Sequence, residues 1–369
     1  MKITDLTVTM FERAIPKASY GRHTMPGSGK VCLGLVTVSA DDGVQGHAFL
    51  GSPVRTAELD AASLIIALKS VVIGRDPLQR EAIYKDLARR AGLSSWRCVG
   101  AIDVALWDIA GKVAGLPIYQ LIGGFREKAP AYASSPGWAN VESYIEEARA
   151  VKAHGYAAYK VHPPRLDPQE DLAVARAVRE AVGDDYRLMF DATGVYNYPQ
   201  ALMVGRELES LGYHWFEDPL PFEDIYNYTK LKQKLDIQVM ATELSPGAFH
   251  AYEPWVSQKA TDALRGDVAL KGGITACLKT AHLAEAFRLN YELHHGGNSL
   301  NNVANLHLFC AIPNTDYFEV VLPDEAQKCG LIDDLQVGSD GFVHVPKKPG
   351  LGVDIDFELI EHSKIRVLS

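Results

Sequence analysis

The chain has 369 residues, 47% of them hydrophobic and 22% charged, with a formal net charge of -9 at pH 7. That length calls for two cores or one large barrel with an appended domain, and the acidity argues against a nucleic-acid or anionic membrane partner. The longest apolar runs, "ASLIIAL" and "SVVIG", are far shorter than the ~20 residues that span a bilayer, and "MKITDLTVTMFERAIP" lacks a signal peptide's apolar centre, so a cytoplasmic protein is expected.

In chain order, the first stretch reads as β-rich. "KITDLTVTMFER" and "KVCLGLVTVSADDGVQGHAFLG" alternate like strands, and "ADDG" before "VQGHAFL" is a hairpin signal. "TAELDAASLIIALKSVVIG", "PLQREAIYKDLARRAG" and "SSWRCVGAIDVALWDIAGKVAG" then follow a helical pattern, bounded by Gly or Pro. Beyond them, eight short apolar segments alternate with amphipathic helices: "PAYASS", "AAYKVH", "RLMFDAT", "HWFEDP", "QVMATE", "DVAL", "YELHH" and "YFEVV". Charged or imidazole side chains mark seven of them, at Lys160, Asp191, Glu217, Glu243, Asp267, His294 and Glu319, spaced 24 to 31 residues apart. A strand, a helix and two loops need about that many residues, so the spacing predicts a parallel βα array closed into a barrel, whose C-terminal strand ends carry the active site. The cysteines (Cys32, Cys98, Cys277, Cys310, Cys329) form no CxxC pair and are expected to be reduced thiols, mostly core.

Asp191, Glu217 and Glu243 close apolar runs on three consecutive predicted strands. Adjacent parallel strands lie ~4.8 Å apart, so carboxylates at matching depth repel unless a cation sits between them. All-oxygen ligation suits a hard divalent ion, and Mg²⁺ is the expected cofactor. Lys160 and His162 share one strand face by alternation.

The series "FDA", "FEDP" and "ATE", followed by "RGDVALKGGIT" and then "HH" 27 residues after its Asp, resembles the enolase superfamily, and within it the mandelate racemase subgroup. The resemblance covers nearly the whole chain. It implies an α/β fold, a modified (β/α) TIM-type barrel with an α+β capping domain, divided into a cap at 1–125, a barrel at 126–325 and a C-terminal segment at 326–369 that packs back on the cap. It also implies abstraction of the proton α to a carboxylate, with one Mg²⁺ per subunit held by Asp191, Glu217 and Glu243. Lys160 would add positive charge to the same carboxylate oxygens as an enediolate forms. His294 would be the base, oriented by Asp267; His295 is the rival, since the two neighbours face opposite sides of a strand. Glu319 would hydrogen-bond the substrate carboxylate, which requires a shared proton and a raised pKa. Proteins of this family are commonly dimers or octamers, so a homo-oligomer is expected.

Two positions depart from the family pattern. The second-strand motif is Lys160-Val161-His162 where the family has Lys-x-Lys, and Thr193 stands where an Asn is common. His162 is accordingly a second base, a leaving-group acid or a hydroxyl binder. Arg22 and His23 in "YGRHTMPG", and Leu50 to Ser52 in "FLGSP", are candidate lid residues facing substrate, as are Thr193 and His295 from the barrel. "PGSGKV" fails as a phosphate loop for want of its first Gly and final Ser or Thr, and Lys271 lies too close to its glycine pair to be the base. The expected activity is dehydration of an aldonate or aldarate to a 2-keto-3-deoxy acid. The alternatives are a racemase, epimerase or cycloisomerase of a carboxylate and, more remotely, a non-catalytic metal-dependent binding protein.

Overall fold

A computed structural model describes residues 1–14, 19–20, 23–24, 29–164 and 167–369. The N-terminal region contributes β1 (Ile3–Ala14), β2 (Ser19–Tyr20), β3 (His23–Thr24), β4 (Lys30–Ala40) and β5 (Gln45–Leu50), then α1 (Glu58–Val72), α2 (Arg80–Ala88), α3 (Trp96–Ala114) and α4 (Ile118–Leu121). The alternating side chains of β1 send Leu6, Val8 and Met10 into the core, each burial stabilising by about 1.5–3 kcal/mol. The predicted "ADDG" hairpin forms between β4 and β5, where Gly43 takes a φ of 84° and Val44 N donates to Asp42 Oδ1.

The barrel follows as β6 (Lys128–Ser134), α5 (Val141–His154), β7 (Ala158–Val161), α6 (Pro168–Val182), β8 (Arg187–Asp191), α7 (Tyr198–Ser210), β9 (Trp215–Glu217), α8 (Ile225–Lys232), β10 (Gln238–Ala241), α9 (Glu253–Ser257), β11 (Ala263–Gly266), α10 (Ile274–Ala286), β12 (Asn290–Leu293), α11 (Ser299–Phe309) and β13 (Phe318–Val321). These strands pair in parallel in the order β12-β11-β10-β9-β8-β7-β6-β13. Between β12 and β13 no ladder forms among the described residues. There the buried Glu292 carboxylate bridges the seam, accepting from Asp316 N (3.1 Å) and Thr315 Oγ1 (3.2 Å). Beyond the barrel come β14 (Phe342–His344), α12 (Phe357–His362) and β15 (Lys364–Leu368). β14 pairs antiparallel with β6, and β15 adds an antiparallel edge to β1, giving the cap sheet the order β15-β1-β4-β5.

One strand expectation is corrected. "DVAL" is a turn, and the sixth barrel strand is the preceding Ala263–Gly266. The Asp267 carboxylate ends it by accepting from Ala269 N (2.7 Å) and Leu270 N (2.8 Å), a local bond that competes with the ladder.

The cap docks on the barrel through α3, which is buried along most of its length between the cap sheet and α10. Its Asp103 accepts from Thr275 N (2.9 Å) and Thr275 Oγ1 (2.6 Å). Gly273 has a φ of 96°, and a Cβ there would overlap the Asp103 carboxylate. The glycine pair of "LKGGIT" therefore serves domain docking.

Candidate active site

Inside the barrel, Tyr132, Ala158, Met189, Trp215, Met240 and Ala263 form an apolar floor. One pleat above it, on the same strand faces, stand Lys160, Asp191, Glu217, Arg265 and Glu319, so the alternation that packs the floor also stacks a charged layer on top. The layer opens into a cavity of about 620 Å³, covered by cap residues that include Leu50, Gly51, Ser52, Arg55 and Arg97. Asn298 Nδ2 donates to Gly51 O (2.8 Å), pinning the cap loop to the start of α11.

Asp191, Glu217 and Glu243 each offer a carboxylate oxygen, and these lie within 4.8 Å of one another. Asp191 and Glu217 are in register on neighbouring strands. Glu243 lies past the end of β10, redirected by Thr242 at a φ of 93°. Thr193 (φ 52°) and Asp218 (φ 37°) are also left-handed. A threonine in that region is strained by about 1–3 kcal/mol, which here aims carboxylates at one point. Thr193 steadies Asp191, its N (2.8 Å) and Oγ1 (3.2 Å) both donating to Oδ1.

Several observations fit this triad to a hard divalent cation. Arg265 Nε touches Glu217 Oε1, but not in line for a hydrogen bond, so this buried oxygen has no directed donor. Burial first, and then the charges of Asp191 and Glu243, push Glu217 up to about 8 despite Arg265 and Lys160. With all four ionised, Asp191, Glu217, Glu243 and Glu319 bring four negative charges against the two positive charges of Lys160 and Arg265. The surplus of two matches one divalent ion, and the donor set is all oxygen.

Lys160 is fully buried, its Nζ 3.0 Å from Glu217 Oε2, 3.3 Å from Asp191 Oδ2 and 2.8 Å from Glu319 Oε1. His162 and His294 reach the two ends of the triad. His162 Nδ1 lies 2.8 Å from the carbonyl of Ser135, which only accepts, so Nδ1 carries the proton and Nε2 faces Asp191 at 2.9 Å. His294 Nδ1 donates to Asp267 Oδ2 (2.6 Å), leaving Nε2 toward Glu243 at 3.2 Å. Burial would lower His294, but Glu243 and the Asp267 hydrogen bond raise it to about 9. The rival His295 also lines the cavity. Its ring nitrogens are taken up locally, by Gly297 N (3.0 Å) and the Asn302 amide (2.8 Å), and burial lowers it to about 4.

Glu319 is a correction. A raised pKa was expected, yet its oxygens accept from Lys160 (2.8 Å), Arg265 Nη2 (2.5 Å) and His295 N (2.9 Å). Burial favours the neutral acid, but Arg265 and Lys160 hold Glu319 well below the usual carboxylate range. It enters the site as an anion with its lone pairs engaged. Ser52 and Thr193 line the cavity, Arg22 lies outside the described residues, and His23 is placed only by the backbone of β3. Lys271 Nζ donates to Ser245 O (2.6 Å) and is absent from the described lining.

Two cations escape a reading of the sequence. Arg265 is fully buried and also donates to Tyr132 Oη (2.8 Å). With the strand placed at "DVAL", Arg265 fell outside it, and the parity that points it inward was hidden. Arg97 sits within a helical pattern, where nothing in the sequence marks it as facing a cavity.

A family model described as "Mandelate racemase / muconate lactonizing enzyme, N-terminal domain" matches residues 6–123, and one described as "Enolase C-terminal domain-like" matches residues 143–359. An arabinonate dehydratase from Saccharolobus solfataricus is 29% identical over 73% of this chain and 72% of its own. A D-galactarolactone cycloisomerase from Agrobacterium fabrum is 31% identical over 87% of this chain and 88% of its own. The crystal structure of a D-glucarate dehydratase from Agrobacterium tumefaciens, complexed with magnesium, superposes with a TM-score of 0.89 at 36% identity, covering 99% of this chain and all of that one.

Proposed function

Because the chain belongs to the mandelate racemase / muconate lactonizing enzyme family, whose two domain models together span most of it, we propose that it is a Mg²⁺-dependent acid-sugar dehydratase. The observation that carries this reading is the placement of two imidazoles, each with Nε2 free of its backbone or carboxylate anchor, at opposite ends of one carboxylate triad. Proteins that resemble this chain over most of its length and carry dehydratase names support the same chemistry.

In its neutral form His294 takes the proton α to the substrate carboxylate on Nε2; Asp267 keeps the other ring proton on Nδ1 and stabilises the imidazolium that forms. When bound to Asp191, Glu217 and Glu243, Mg²⁺ would supply positive charge to the substrate's carboxylate oxygens. Lys160, buried against the same carboxylates, adds a cation that needs no reorganisation. The β-hydroxyl departs with a proton delivered by an imidazole; His162, held by Ser135 and by Tyr144 Oη on its carbonyl (2.6 Å), is the residue assigned to that step. Loss of water then leaves an enol that becomes the 2-keto-3-deoxy acid.

The same pair of imidazoles also suits proton removal on one face and return on the other, so epimerisation is the second reading. Incubating the protein with Mg²⁺ and a panel of aldonic and aldaric acids in D₂O separates them. A new keto acid supports dehydration, and α-deuterium with inversion supports epimerisation. Neither product from any acid that binds would refute both.

A further inference from the structure

Among the described lining residues, the lysine and arginine cations of the cavity are Lys160, Arg55 and Arg97. Lys160 is engaged by three carboxylates. Arg55 is clamped by Asp60 through Nε (2.8 Å) and Nη2 (3.1 Å), and Asp60 is itself fixed by Ser95 Oγ (2.9 Å). Arg97, in the first turn of α3, is different. Its guanidinium makes no hydrogen bond or ion pair with any described residue, although it is half-buried at the cavity wall. Burial disfavours its charge, and Asp267 offsets that cost only in part. A half-buried guanidinium with no protein partner is open to an anionic partner from the cavity. The cap's other lining residues include Leu50, Pro53, Val54 and Ala101, which have no charge to offer, and Arg55, whose partner is Asp60.

The lining also has two electrostatic poles. One is formed by Asp191, Glu243 and Lys160 at the barrel layer, and the other is Arg97 on the cap, reached from a separate element of the fold. A planar fork of N–H donors matches a carboxylate in bidentate fashion. We propose that Arg97 receives a second carboxylate of the substrate, so that this site takes hydroxylated dicarboxylates, the aldarates, in preference to monocarboxylate aldonates. The assignment rests on the acid-sugar reading above, and it names the end of the substrate remote from the reacting carbon.

The test compares matched pairs, glucarate with gluconate and galactarate with galactonate, by calorimetric binding in Mg²⁺ to protein carrying His294→Asn, so that nothing is turned over. The diacid is expected to bind about 10- to 100-fold tighter than its monoacid. Arg97→Met should erase that ratio, and Arg97→Lys should restore part of it. Equal binding of diacid and monoacid to the Arg97-containing protein, a ratio that survives Arg97→Met, or tighter binding of 6-phosphogluconate than of any diacid would each overturn the assignment. Turnover by the protein with His294 intact is scored separately. If no acid loses water or exchanges its α proton, the dehydratase reading falls, while the binding ratio still decides the role of Arg97.

Discussion

Replacing Arg265 with methionine removes one of the two cations that hold the charged layer together. Its guanidinium is fully buried, pairs with Glu319 at 2.5 Å and Glu243 at 3.5 Å, touches Glu217, and donates to Tyr132 Oη at 2.8 Å. Without it the layer's surplus of negative charge, with all four carboxylates ionised, rises from two to three. Breaking a buried pair by removing one partner costs about 3–5 kcal/mol, a large share of the ~5–15 kcal/mol that holds a typical fold. A bound divalent cation should offset part of that loss, because the vacated charge sits against its ligands. A tenfold gain in affinity adds about 1.4 kcal/mol of stabilisation at saturation. Urea unfolding of both proteins, with and without saturating Mg²⁺, reads both quantities. Arg265→Met should be less stable by about 3–5 kcal/mol without metal and should gain at least ~1.4 kcal/mol more from Mg²⁺ than the parent. An unchanged midpoint without metal, or an equal Mg²⁺ increment in the two proteins, would refute the charge balance drawn here.

Three further outcomes are expected. Asp267→Asn should keep the bonds from Ala269 and Leu270 to its oxygen and turn an NH₂ toward His294 Nδ1, forcing the proton onto Nε2; kcat should fall about 10²- to 10⁴-fold with Mg²⁺ affinity nearly kept, measured by steady-state kinetics and metal titration. His307 is buried with Nδ1 accepting from Tyr119 N (3.2 Å), and burial lowers it to about 4. Its folded pKa lies below the unfolded value of about 6.5, so the unfolded chain binds the extra proton and stability falls as pH drops from 6.5 toward 4, by roughly 3 kcal/mol at most for this group. His307→Gln should flatten that slope in denaturant titrations at pH 7 and 5, and an identical slope would contradict the assignment. Gly273→Ala should destabilise by about 2–4 kcal/mol in thermal or urea unfolding, through a φ of 96° and overlap with Asp103; a change under 0.5 kcal/mol would show that the cap and barrel yield there.

The periodic spacing of charged side chains was enough to read the barrel, because in a parallel array each strand surfaces once per βα unit, and Asp191, Glu217 and Glu243 do converge. Seven of the eight strand segments overlap observed strands. The eighth, "DVAL", misled because Asp267 ends the strand by bonding its own turn, a local preference that apolar patterning does not register. That shift concealed Arg265, and with Arg265 unseen the ionisation of Glu319 was read with the wrong sign. The choice between His294 and His295 rests on which ring reaches Asp267, 27 residues back just past the neighbouring β11, and which folds onto Asn302 in the helix that follows, and both depend on strand parity at the end of β12. Arg97 was illegible because its exposure to the cavity depends on how α3 docks over the barrel.

The central claim, that His294 oriented by Asp267 removes a proton α to a carboxylate, is tested most directly by α-deuterium exchange in D₂O with Mg²⁺ and an aldarate. The protein should exchange the α proton and release a keto acid, and His294→Asn should reduce exchange by about 10²-fold or more while retaining Mg²⁺. Full exchange in His294→Asn, with its loss in His295→Asn, would contradict the account.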